Sequence, residues 1–223
     1  MPPEHEVGAK TLAARRREFD ALAHQARERL IAVHEAGHAV VHYYHQHFFD
    51  RMVLNEEGGL VEVGRVAFVA DAFFDSVPAD PLLTANLRRG NDYRVTAVVD
   101  ALIAGSVAEC RLMGWSPLHI VPGDERVIDG VLRHVYGTQR FQEMARQRKR
   151  AASRRVQGLF RRRGVWASVL KLADRLLTER EIDGEDAFSF LRERSVPNTG
   201  LRDYMKALRR AELAFVPERR LGG

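Results

Sequence analysis

Residues 30–41 read Leu-Ile-Ala-Val-His-Glu-Ala-Gly-His-Ala-Val-Val, two histidines and a glutamate set into an apolar, proline-free run. Such a run suits a buried helix, and on a helix the polar residues have a definite geometry. At about 1.5 Å rise and 3.6 residues per turn, His34 and His38 lie on one face about 6 Å apart along the axis, so two imidazoles can close on one ion. Glu35 is rotated off that pair and can bring its carboxylate to a water at the ion without ligating it, as a general base must. The H-E-x-x-H pattern therefore predicts Zn2+ and hydrolytic chemistry. The bland alternative is an amphipathic helix whose histidines are solvated or hydrogen-bonded in a core. Gly37 argues against it: a mid-helix glycine costs about 1 kcal/mol relative to alanine, and a close-packed neighbour is expected there.

More histidines follow at 42, 45 and 47. His42 shares the face of His34 and His38 but is about 12 Å from His34 along the axis, too far for all three to reach one ion. Val41 and Tyr44 stand where a metzincin extension requires Gly and His. The three extra histidines are read as a polar face or helix end, and the third ligand must come from elsewhere. Asp100, Glu109, Asp124 and Asp129 are candidates that spacing alone does not separate.

Composition bounds the remainder. The 223 residues, 45% hydrophobic, can bury a proper core in one sizeable domain. Cys110 is the only cysteine, which excludes an intrachain disulfide or a Cys-type zinc site and fits a reducing cytoplasm. No apolar leader and no stretch of about 18 uncharged apolar residues is present, so a soluble cytoplasmic protein with no membrane partner is expected. The net charge of +5 is unevenly spread: residues 140–163 carry ten Lys or Arg against the single acid Glu143. That run either meets a polyanion or an acidic partner, or is a solvated helix face and loop. With only Phe141 and Phe160 interleaved, base stacking is poorly served, and nucleic acid is not the expected partner.

Along the chain, Thr11 to Leu30 reads as a charged helix running into the H-E-x-x-H helix. Met52–Leu54 and Leu60–Val69 are β-prone runs around Asn-Glu-Glu-Gly-Gly, a hairpin signal. Val77 to Pro81 reads as a loop and Tyr93 to Gly114 as an apolar helix whose acids sit inside the core pattern. Helical patterns resume at Glu125–Tyr136, Val165–Thr178, Glu185–Arg194 and Leu201–Leu213. The expected fold is mainly α with a small β-hairpin or short antiparallel sheet. The parts are an N-terminal helical extension (1–29), a central domain (30–194) and a C-terminal helix and tail (195–223).

Three blocks together resemble one family, the zinc metallopeptidase domain of FtsH-type AAA proteases. They are Val33–Val41 around the H-E-x-x-H; Ala101-Leu102-Ile103-Ala104-Gly105-Ser106-Val107-Ala108-Glu109 followed by Gly123-Asp124; and Leu172 to Glu185, similar to the family's closing helix and turn. Order and spacing agree over about residues 30 to 192. The resemblance implies a helical, zincin-like fold with His34, His38 and Asp124 as zinc ligands and Glu35 as catalytic base. Glu109 looks like a carboxylate that accepts a hydrogen bond from a ligand imidazole, with Arg111 or Arg126 as its alternative partners. Two departures stand out: Val121-Pro122-Gly123-Asp124-Glu125-Arg126 replaces the family's aspartate environment, and Ser106 stands where arginine is usual.

These residues contain no G-K-[ST] phosphate loop, and neither an ATPase module nor a membrane anchor is expected. A stand-alone, ATP-independent zinc metalloendopeptidase is therefore expected, acting on protein or peptide substrates; a homo-oligomer or a separate unfoldase are the partners considered. The competing expectation is an inactive or regulatory metal-binding protein that meets nucleic acid or a protease partner through residues 140–163.

Overall fold

A computed structural model describes residue 17 and residues 22–45, 49–54, 63–64, 81–114 and 122–194. The elements are α1 (His24–His45), β1 (Arg51–Val53), β2 (Val63–Gly64), α2 (Pro81–Met113), α3 (Pro122–Phe160), α4 (Arg163–Glu179), β3 (Glu181–Asp183) and α5 (Gly184–Arg194). The expected mainly helical fold with a short antiparallel sheet is what the chain adopts. The expected helix at 201–213, most of the run from Thr11 to Leu30 that precedes α1, the hairpin turn and His47 lie outside the described residues. Because α1 begins at His24, it runs across the boundary expected at 29/30.

The centre of the fold is α1, which packs against both α2 and α4, while α2 packs in turn against α3. From Ala32 to His42 every residue of α1 is buried, so no face of these three turns meets water. A helix enclosed on all sides must find internal partners for each polar side chain. The same enclosure corrects the polar-face reading of His42 and His45, both 3% exposed, while the helix-end reading agrees with their place in the last turn of α1. His42 lies 6.0 Å from the Phe49 ring, and His45 reaches an aspartate on α2. Gly37 meets the neighbour expected of it: a Cβ there would lie 2.8 Å from Ala108 Cβ and 2.9 Å from the Ala104 carbonyl oxygen.

In α4, the buried residues Val165, Ser168, Val169, Leu172, Ala173 and Leu176 recur at helical spacing, a single apolar stripe laid on α1. The helix stops at Arg180, which takes a left-handed φ of 66° and returns its N–H to the Leu176 carbonyl. The chain then forms β3, a strand within a stretch that had read as helix and turn. The sheet order is β2-β1-β3, all antiparallel, with Met52 opposite both Val63 and Ile182. Met52 and Ile182 are buried while Arg51 and Glu181 stay exposed and pair at 2.9 Å. At the end of β3 the Asp183 side chain caps α5 through the Glu185 N–H at 2.8 Å. Gly184 beside it donates to the Asp50 carbonyl and leaves no room for a Cβ against Phe49.

Two boundaries differ from the sequence reading. α2 starts at Pro81, twelve residues before Tyr93, with proline at the first helical position where its missing N–H costs nothing. α3 takes in the basic run as far as Phe160 but is not straight. Lys149 Nζ lies 2.8 Å from Glu125 and 2.6 Å from Asp129. A straight helix would set residues 125 and 149 about 36 Å apart. The chain therefore turns back between Asp129 and Lys149, an interval that contains Gly137.

A buried ionic lock ties α1, α2 and α3. Asp100, fully enclosed, receives the Arg155 guanidinium at 2.6 to 3.2 Å and lies 3.5 Å from His45 Nε2. Burial pushes the Asp100 carboxyl up, yet the hydrogen bond to His45 and the charge and hydrogen bonds of Arg155 outweigh it and leave the group below the ordinary aspartate range. A depressed carboxyl stabilises the fold above its unfolded value, near 3.8, and that contribution is lost as pH falls through the lower folded value. Acid titration should accordingly show wild-type stability falling below about pH 4. Asp100→Asn should be less stable at neutral pH by about 3–5 kcal/mol, with the gap closing in acid; chemical denaturation across pH reads both. A gap of constant size from pH 7 to pH 2 would remove Asp100 from this role.

Candidate metal centre

The site is built where α1 crosses α2. His34 contacts residue 109 and His38 contacts residue 101, so the two helices run antiparallel where they cross. His34 Nδ1 lies 2.8 Å from Glu109 Oε1, and His38 Nδ1 lies 2.6 Å from the Ala101 carbonyl oxygen. A backbone carbonyl and a carboxylate can only accept, so both rings carry their proton on Nδ1. Each ring then turns its Nε2 inward.

The two Nε2 atoms face each other at 2.8 Å, with the rings edge to face at 81°. Into the same spot comes Asp124, from the first turn of α3: its Oδ2 lies 3.3 Å from His34 Nε2 and 3.6 Å from His38 Nε2. The Nε2–Nε2 separation is that of a hydrogen bond, and Asp124 Oδ2 is buried beside both rings. Two ring nitrogens and a carboxylate oxygen this close together need a cation among them, either a proton or a metal ion. Ligands about 2.0–2.1 Å from a tetrahedral zinc would be about 3.3–3.4 Å apart, close to the two N···O separations. The donor set of two imidazoles and a carboxylate suits zinc and leaves a fourth position open.

Glu35 sits beside this point, its Oε1 3.9 Å from His34 Nε2 and its Oε2 buried without a partner. Buried His34, Glu35 and His38 together form a group that can hold a metal ion. Burial, then the charge of Asp124, raises the Glu35 carboxyl well above the usual glutamate range. Burial, helped by His34, lowers His38 to about 4 against the pull of Asp124 and the Ala101 hydrogen bond, so the ring is neutral at pH 7 and its lone pair is available to a cation. The Asp124 carboxyl is also raised by burial, but His38 and His34 prevail and keep it below its ordinary value, hence ionised.

The structure separates the four acidic residues that spacing left open. Asp124 faces both Nε2 atoms; Glu109 faces the outer nitrogen of His34; Asp100 belongs to the lock with Arg155 and His45; Asp129 pairs with Lys149. The alternative partners for Glu109 are elsewhere, Arg111 over the Trp166 ring and Arg126 against the Pro122 carbonyl. Sequence reasoning missed the Ala101 carbonyl, a backbone group with no residue signature. It also missed the contact between Gly105 and His34, although a glycine inside an apolar helical run is the same signal that had marked Gly37.

The basic run divides by helix face. Arg148 and Arg155 turn inward to Thr96 and Asp100, and Lys149 pairs with Glu125 and Asp129. Arg146, Arg150, Arg154, Arg161 and Arg163 are exposed. Part of the charge that looked available for a partner therefore holds the helices together. No described helix is long and apolar enough to cross a membrane. Comparison with protein-family models and with curated proteins gives no match, so the functional reading rests on this geometry and on the sequence motifs.

Proposed function

We propose that the chain is a zinc-dependent metallopeptidase of the FtsH-type, zincin-like kind, with His34, His38 and Asp124 holding the ion and Glu35 as general base. The observation that carries the reading is the convergence of three inward-facing lone-pair atoms beside a buried carboxylate that has an unpartnered oxygen. A purely structural ion requires the three ligands; it does not require Glu35. A zinc ion bound there supplies Lewis acidity, polarising a carbonyl and making water acidic near neutrality.

The chain's own residues account for the remaining steps. Glu109 and the Ala101 carbonyl hold the two imidazoles by Nδ1 so that Nε2 is the nitrogen presented to an ion. Glu35 takes a proton from water on its carboxylate and returns it to the departing amine, and its raised pKa suits a group that must hold a proton near neutral pH. The substrate would be an extended peptide or flexible protein segment. β2 forms one edge of the sheet, and main-chain pairing along such an edge tolerates varied side chains. Folded substrates would need a separate unfoldase, and the buried Cys110 suits a reducing, cytoplasmic setting.

The test is metal analysis together with cleavage of casein or a quenched peptide. The expected result is one zinc per chain, activity abolished by a chelator, and activity restored by zinc. A purified protein that binds no zinc, or whose cleavage survives complete metal removal, would overturn the proposal.

A further inference from the structure

We infer that Gly105 is a positioning residue for the metal centre, its missing side chain being what allows the His34 ring to lie against α2 with Nε2 directed at His38 and Asp124. The inference rests on the metallopeptidase reading and adds to it a residue that neither ligates nor transfers a proton.

On α2, Ala101, Gly105 and Glu109 follow one another at four-residue steps and so share the face turned to α1. Ala101 offers its carbonyl to His38, Glu109 offers its carboxylate to His34, and Gly105 lies between them. A methyl group on Gly105 would fall 2.6 Å from both Cδ2 and Cε1 of His34 and closer still to Nε2. Those are the ring atoms on the metal-facing side. His34 has no room to retreat, because it is 7% exposed and its Nδ1 is held by Glu109. A side chain at 105 must therefore turn the ring and move the lone pair off the point where Asp124 and His38 meet.

Gly37 provides the contrast. A Cβ there would strike Ala108 Cβ and the Ala104 carbonyl, which are packing contacts between helices and touch no ligand. The two glycines sit on opposite sides of the same helix crossing, so they separate metal geometry from helix packing. Alanine is also the better helix former, which offsets part of the crowding at position 105 in the metal-free protein.

The experiment compares wild type, Gly105→Ala and Gly37→Ala for zinc affinity by chelator competition, for the visible spectrum of the cobalt-substituted protein, and for the melting temperature of the metal-free protein. Gly105→Ala is expected to weaken zinc binding by at least about 10–100-fold, the range seen when groups that orient metal ligands are changed, and to alter the cobalt spectrum. Gly37→Ala is expected to lower the metal-free melting temperature more than Gly105→Ala does. A second comparison covers the case in which Gly105→Ala folds poorly: in a His34→Ala background the added methyl has space, so Gly105→Ala should then raise the melting temperature, whereas with His34 present it should not. Wild-type zinc affinity and an unchanged cobalt spectrum in Gly105→Ala would overturn the inference, as would an equal effect of Gly105→Ala on melting with and without His34. Failure of the wild type itself to bind zinc would instead overturn the metallopeptidase reading.

Discussion

Glu35→Gln should leave one zinc per chain and reduce peptide cleavage by about 10²–10⁴-fold, the range a positioned general base contributes. The substitution preserves shape and removes only the capacity to take a proton. His34, His38 and Asp124 are untouched, and Glu35 is not one of the three atoms that converge on the ion position. Removing a buried carboxyl raised by desolvation also relieves a cost to the fold, so the variant should melt at or above the wild-type temperature. Metal analysis, steady-state cleavage and a melting curve on the same preparation check all three statements. Wild-type activity in Glu35→Gln would mean that no proton passes through this carboxylate, and the hydrolytic mechanism would be wrong.

Asp124→Ala should cost more zinc affinity than any other single acidic substitution near the site, beyond the roughly 10–100-fold typical of groups that only orient a ligand. Among the described residues it is the Asp124 carboxylate that faces both Nε2 atoms, at 3.3 and 3.6 Å, and its pKa stays below the ordinary aspartate value despite burial. Glu109→Gln should fall in the intermediate range, because it weakens the partner of His34 Nδ1 without removing a ligand. Asp129→Ala should bind zinc as the wild type does, since Asp129 pairs with Lys149 on the returning arm of α3. His42→Ala should also retain the metal, because one ion cannot be reached by residues about 12 Å apart along a helix. Chelator competition orders the four variants. Equal zinc retention by Asp124→Ala and wild type would take Asp124 out of the site.

Loss of binding in Asp124→Ala with retention in Asp129→Ala would also bear on the turn in α3. Asp124 stands on the outgoing arm, and its arm is fixed to the returning one by Lys149 bridging Glu125 and Asp129. The basic run thus has a mechanical part in the structure that its composition did not suggest.

What the sequence determined by itself is what depends on the helical repeat. His34, Glu35 and His38 are related by one turn of one helix, so their shared face, the off-axis base and the exclusion of His42 all followed before any packing was known. The close neighbour at Gly37 and the buried acids Asp100 and Glu109 were legible in the same way, as costs that an exposed helix would not tolerate. The third carboxylate was different. Asp124 is 86 residues from His38, and backbone periodicity carries no information over that separation; only the packing of α3 against α2, and of α2 against α1, brings it to the two imidazoles. The same holds for β3, three residues whose strand pairing comes from Met52 and its neighbours across the sheet, and for the turn in α3, set by ion pairs 20 and 24 residues apart in a run that is helical throughout. It holds for His45, which read as part of a polar face or helix end and is buried because Asp100 and Arg155 arrive from two other helices. Local periodicity decides which side chains share a face, while tertiary packing alone decides what that face meets.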